Sequence, residues 1–250
     1  MTRWALREPA LWYVALLLFA ILLFALTGSV IRPSGGRGAP EGIVHVVLDH
    51  TAGVMILTAY PFLFPLVAIL VTLGIVVQRE RGGLAAFQAR GYRRWEILLA
   101  QSLAILSLAL LPAFLAFLLF PIFVEPSLAL QGNLGALYPA RYWTSMPRLL
   151  LLIVHTVLFA AAFAMLIRRA AIAFGAMITF FFIGWYLQPR LGLFYVFTPP
   201  GAFWVAYGIS APVTESLPIP AGQYYLLHLL VALVAFLIAL LYWSRRGELQ

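Results

Sequence analysis

The chain has 250 residues, of which 64% are hydrophobic and only 10% charged, and its formal net charge is +8. A soluble domain carries about 25% charged residues, so this composition excludes an ordinary water-soluble enzyme and calls for a bilayer as solvent. With no Cys and no Lys, it also excludes disulfides, Cys-ligated zinc, a phosphate-binding P-loop lysine and a Schiff-base lysine.

The chain reads as an all-α polytopic membrane protein with six transmembrane helices and no separate soluble domain. A spanning helix needs about 20 apolar residues. Six segments meet that need, at about 10–31, 51–77, 97–120, 149–167, 170–187 and 224–243. The first follows the basic residues Arg3 and Arg7. Its apolar run is longer than the roughly 7–15 residues of a signal peptide, so it reads as a retained span. Pro61 and Pro65 fall inside the second span and predict a kink there. Only Arg168 and Arg169 separate the fourth and fifth spans. Two adjacent Arg at mid-bilayer would cost about 5–7 kcal/mol, which predicts a tight turn at the membrane surface. Gly175, Thr179 and Gly184 in the fifth span are small enough to allow close helix packing.

Orientation follows from the arginines. With the N-terminus inside, the inner segments hold Arg3, Arg7, Arg79, Arg81, Arg90, Arg93, Arg94, Arg168, Arg169, Arg245 and Arg246. The outer segments hold Arg32, Arg37, Arg141, Arg148 and Arg190. Eleven against five predicts both termini in the cytoplasm, in a plasma or inner membrane. The charge thus reflects orientation and not nucleic-acid binding. The outer loops are 32–50, 121–148 and 188–223. Tyr142 and Trp143 in the second of these read as an interfacial anchor.

The most informative segment is the cytoplasmic loop 78–96, within the stretch QRERGGLAAFQARGYRRWEILLAQ. Arg79, Glu80, Arg81, Arg90, Arg93, Arg94 and Glu96 keep it out of hydrocarbon. Leu84, Phe87, Tyr92 and Trp95 keep it from being a plain solvated loop. A short helix over residues 79–89 is predicted, with Gly91 as its stop. Such a helix suits either an anionic membrane surface or a groove on a partner protein.

The order of these residues resembles the cytoplasmic loop of the type-2 ABC exporter permease family. That family's pattern is approximately E-R-E-x-G-T-L, a short apolar stretch, P-V-S-R-x-E-I, and then G-K. Arg79, Glu80, Gly82 and Leu84 match its first part, and Arg94, Glu96 and Ile97 match its second. The departures are Gln78 for the first Glu, Gly83 for Thr, Gly91 for Pro, Ala100 for Gly and Gln101 for Lys. The motif covers about a tenth of the chain, and the six-span layout extends the resemblance over its length.

The resemblance implies a non-catalytic permease subunit with a coupling helix docked on a separate ABC ATPase subunit. It implies two permease chains and two ATPase chains, with ATP and Mg bound by the ATPase and no cofactor in this chain. It further implies that spans two and five border the pathway and that spans one and five contribute to the dimer interface. Arg79, Glu80, Arg81, Gly82, Leu84, Phe87, Arg94 and Glu96 are then the coupling residues, with Glu80 paired to a basic residue of the ATPase.

Four histidines remain. His45, Asp49 and His50 lie near the outer start of the second span. His45 and Asp49 share a helical face, but without a further ligand motif they read as interfacial polar residues and not as a metal site. His155 and His228 lie in the fourth and sixth spans. Ionisable groups at that depth face protein or water, so they serve either a polar path or helix packing. No protease or hydrolase motif is present. The alternatives to a permease subunit are a secondary transporter and a membrane scaffold in a larger complex.

Overall fold

The computed structural model describes residues 8–30, 62–124, 129–138, 140–143, 146–186, 201 and 221–246. The regular elements among them are all helical. In chain order they are α1 (Pro9–Val30), α2 (Phe62–Glu80), α3 (Gly83–Gln88), α4 (Arg94–Val124), α5 (Leu134–Leu137), α6 (Ala140–Trp143), α7 (Met146–Leu166), α8 (Ala170–Tyr186) and α9 (Ala221–Arg246). Four stretches are long and apolar enough to cross a bilayer: Phe62–Glu80, Arg94–Phe123, Met146–Leu166 and Leu226–Arg245. The apolar helices α1 and α8 flank them. The protein is therefore a helical membrane protein.

The long helices pair as α1 with α4 and α7 with α9, and α4 joins the two pairs. The C-terminal half of α2 touches α1, α4, α7 and α8. Alanines at 109, 113, 116, 160, 161 and 164 are buried where these helices meet. Small side chains let helix backbones approach where apolar transfer supplies no drive. Phe64 of α2 stacks on Phe181 of α8 with ring centroids 4.3 Å apart. Leu16, Leu103, Leu230 and Ile238 point outward, the arrangement that lipid favours.

Helix limits follow local chemistry. The break between α7 and α8 falls at Ile167–Arg169, where the two arginines predict it. The second span continues past residue 77 to Glu80 by widening into a π-helical turn at Thr72–Val77. A Cβ on Gly74 would lie 2.7 Å from Ile105 Cδ1, so this turn brings the α2 backbone close to α4. Packing at the fifth span differs from the expectation. Gly175 and Thr179 are exposed, with open space beside Gly175, and only Gly184 is buried.

The C-terminal end of α4 corrects another expectation. Pro121 lies inside that helix and has no N–H to give to the carbonyl four residues back, that of Phe117. The Tyr142 hydroxyl donates to Phe117 O instead, and the Tyr138 hydroxyl donates to Leu118 O at 2.6 Å. Tyr142 is fully buried, stacked on Phe117 at 4.3 Å, while Trp143 remains exposed. Tyr142 is thus a cap for a proline-freed carbonyl, and of the pair only Trp143 is exposed. Tyr142→Phe keeps the stacking and loses the bond. We expect it to cost about 1 kcal/mol, read as a lower midpoint of unfolding in detergent. An unchanged midpoint would return Tyr142 to a packing role.

Candidate functional site: the cassette at residues 78–97

The segment from Gln78 to Ile97 folds as one unit at one end of the bundle. It is not the single helix expected over 79–89. The chain breaks after Glu80, because Gly82 adopts φ +74° and turns the backbone left-handed. A short helix α3 then forms over Gly83–Gln88. Gly83 is tightly placed, since a Cβ there would lie 2.9 Å from Gln78 O. This accounts for glycine where the resembling family has Thr.

Gly91 ends α3 as expected. Its φ is +85°, its N–H bonds to Gln88 O at 2.8 Å, and the Tyr92 N–H bonds to Phe87 O at 3.3 Å. These two bonds define a Schellman motif, and the accompanying apolar contact is the Phe87–Tyr92 ring pair at 6.5 Å. Helix α4 then begins with its own cap. The Glu96 carboxylate reaches back to the Arg93 N–H at 2.9 Å, as the third helical residue of a capping box does.

The adjacent residues Arg79 and Glu80 grip the α7–α8 turn from both sides. The Arg79 guanidinium donates to Ala164 O at 3.2 Å and to Ile167 O. Helix C-termini leave carbonyls unpaired and carry partial negative charge, so a cation belongs there. The Glu80 carboxylate accepts from the Ala170 N–H at 2.8 Å. That N–H opens α8, where partial positive charge favours an anion. One Arg-Glu pair therefore satisfies both ends of a turn 85–90 residues away in sequence.

The remaining candidates fall on different sides of the cassette. Leu84 is buried toward the protein, and Phe87 is half-buried against Tyr92. Arg81 is exposed and lies 3.7 Å from Glu8 at the start of α1, a surface pair of about 0–1 kcal/mol. Arg94 turns inward, and its guanidinium lies 5.8 Å from the Trp243 ring of α9. Arg79 lies 5.1 Å from the same ring. A cleft of about 380 Å³ opens beside these groups, lined among others by Arg79, Glu80, Leu84, Arg94, Arg168 and Trp243. The outward surface is formed by Arg90, Tyr92, Arg93 and Trp95, all exposed.

The two intramembrane histidines come together. His155 of α7 and His228 of α9 are buried with ring centroids 5.8 Å apart, and Phe159 covers His155 at 4.9 Å. None of the four ring nitrogens has a hydrogen-bond partner among the described residues. No group of three or more metal-ligating side chains occurs among those residues. His45, Asp49 and His50 lie outside the described residues, as does Pro61.

Sequence reasoning missed Trp243, Ala170 and the carbonyls of Ala164 and Ile167 as partners of the loop. An indole two residues before Arg245 at the inner end of the last span was the available signal for the first. The backbone partners carry no sequence signal at all. No family model matches the chain, and no curated protein matches it.

Proposed function

We propose that this chain is the permease subunit of an ABC exporter, driven by a separate ATPase. In this reading the chain crosses the cell membrane six times with both termini inside. Helix α3 is its coupling helix, and two permease chains work with two ATPase chains that bind ATP and Mg. The observation that carries the reading is the cassette itself. The residues matching the exporter motif, Arg79, Glu80, Gly82, Leu84, Arg94, Glu96 and Ile97, lie in one compact unit made of the end of α2, α3 and the start of α4. Outside it is an exposed basic and aromatic surface of a kind that suits a protein groove.

The internal bonds of the cassette give the proposal a mechanism. Closure of the ATPase dimer on ATP would displace α3. Arg79 and Glu80 tie the root of α3 to the α7–α8 turn, and Arg79 and Arg94 tie it to Trp243 of α9. A push on α3 would then move the inner ends of α2, α7, α8 and α9 together. ATP-dependent contacts at the outward surface would bias two packed arrangements of these helices. Glu80 takes a structural part here, beside any contact with the ATPase.

The test purifies tagged protein from its native host in mild detergent. A stoichiometric Walker-type ATPase should co-purify, and Arg90→Glu with Trp95→Ala should release it at unchanged protein yield. Those two residues are exposed and hold no other element. The buried His155–His228 pair is the observation that favours a secondary transporter instead. Stable protein without an ATPase partner would decide for that class and against the permease.

A further inference from the structure

The cleft behind α3 has a chemistry that the permease reading does not use. It gathers three arginines, Arg79, Arg94 and Arg168, against one carboxylate, Glu80. That carboxylate is already engaged with the Ala170 N–H. Two of the guanidinium groups converge within 6 Å of the Trp243 ring. Cations drawn to one ring repel each other, and an anion set among them relieves that repulsion. The guanidinium fork also matches the oxygens of a phosphate in a way that few other anions offer. A volume of about 380 Å³ is in the range of small-ligand sites, roughly 300–1,000 Å³.

The setting decides which phosphate. The cleft lies at the inner ends of α2, α7 and α9, where headgroups of the inner leaflet lie. That leaflet is rich in acidic lipid. One part of the lining is basic, and Leu84 and Leu166 with the Trp243 indole supply apolar surface beside it. An indole at this level is the usual companion of a headgroup.

We infer that this cleft binds a phosphate anion, and that the phosphate is the headgroup of an acidic phospholipid. Arg94 and Arg168 hold the phosphate oxygens. Arg79, anchored on Ala164 O and Ile167 O, adds fixed positive charge. A lipid bound there would brace α3 against α7 and α9 whether or not an ATPase is docked outside.

The test uses the full chain, delipidated in detergent, with bound lipid counted by native mass spectrometry. Phosphatidylglycerol should bind at least tenfold more tightly than phosphatidylcholine of the same chain length. Arg94→Gln with Arg168→Gln should weaken phosphatidylglycerol roughly 30-fold, about fivefold for each lost charge near the surface. Arg94→Lys with Arg168→Lys should keep most of the affinity. Arg90→Gln with Arg93→Gln, on the outward face and outside the cleft, should leave the lipid affinity unchanged. Should the double Gln variant not fold, Arg168→Gln on the exposed turn carries the same test at about fivefold. Equal binding of the two lipids, or full affinity in the Gln variants, would overturn the site. Glycerol phosphate competing as strongly as the lipid would assign the cleft to a soluble phosphate ester and overturn the lipid.

Discussion

Arg79→Ala is expected to lower stability by about 2–3 kcal/mol and to open the α7–α8 turn. The guanidinium donates to two carbonyls at the end of α7, and hydrogen bonds to charged groups contribute about 1.5–3 kcal/mol each. Stacking against Trp243 adds to this. Alanine would leave the carbonyls of Ala164 and Ile167 without that donor and remove the cation from the helix end. Water at the membrane surface partly replaces the lost donor, so the estimate stays below the sum of the parts. The direct readout is trypsin, whose sites Arg168 and Arg169 lie exposed on the turn. Cleavage there should speed up roughly 30-fold or more, since local opening sets access. Arg79→Lys keeps the charge but not the planar fork and should recover only part of the loss. If Arg79→Ala leaves both the unfolding midpoint and the tryptic rate unchanged, the grip on the turn has no energetic weight.

Gly82→Val and Gly83→Thr should each destabilise the cassette by about 2 kcal/mol, for different reasons. Gly82 sits at φ +74°, where an L residue costs about 1–2 kcal/mol and a β-branched one more. Gly83 has ordinary room except on one side, where the new Cβ would meet Gln78 O at 2.9 Å. Moving backbone to accept it costs about 1–3 kcal/mol. Thr is the residue that the resembling exporter family carries at this place, so the substitution sets this chain's geometry against that pattern. Gly83→Ala brings the same Cβ without the hydroxyl and should show most of the loss. Unfolding midpoints in detergent measure all three. Tolerance of Thr at 83 would mean that the turn after α2 follows a different path from the one described.

Several features could be read directly along the chain. Gly91 ends a helix because glycine takes the left-handed cap conformation that a side chain penalises. The Arg168–Arg169 break could be read because charge in hydrocarbon costs more than any packing returns. These are properties of one residue or one short window, and transfer free energy acts on them wherever the helix lies.

The partners were of another kind. Glu80 read as the partner of a basic residue on an ATPase; the bond its carboxylate accepts from a backbone N–H 90 residues later could not be read. Tyr142 read as an interfacial ring, yet Pro121 exposes a carbonyl that draws it inside. His155 and His228 could be placed at similar depth and weighed as one polar patch, but their ring-to-ring contact could not be read. The helices are apolar nearly all round, so no polar stripe marks which face of α1 or α8 packs inward. In a bilayer, contact faces are chosen by shape, by small residues and by unpaired backbone groups. Composition and spacing thus determined that this chain is a bundle of membrane helices with a charged loop. Only the tertiary structure decided that the loop's first Arg-Glu pair holds α7 and α8 together, because the groups it binds are backbone atoms that every sequence possesses and only a fold brings within reach.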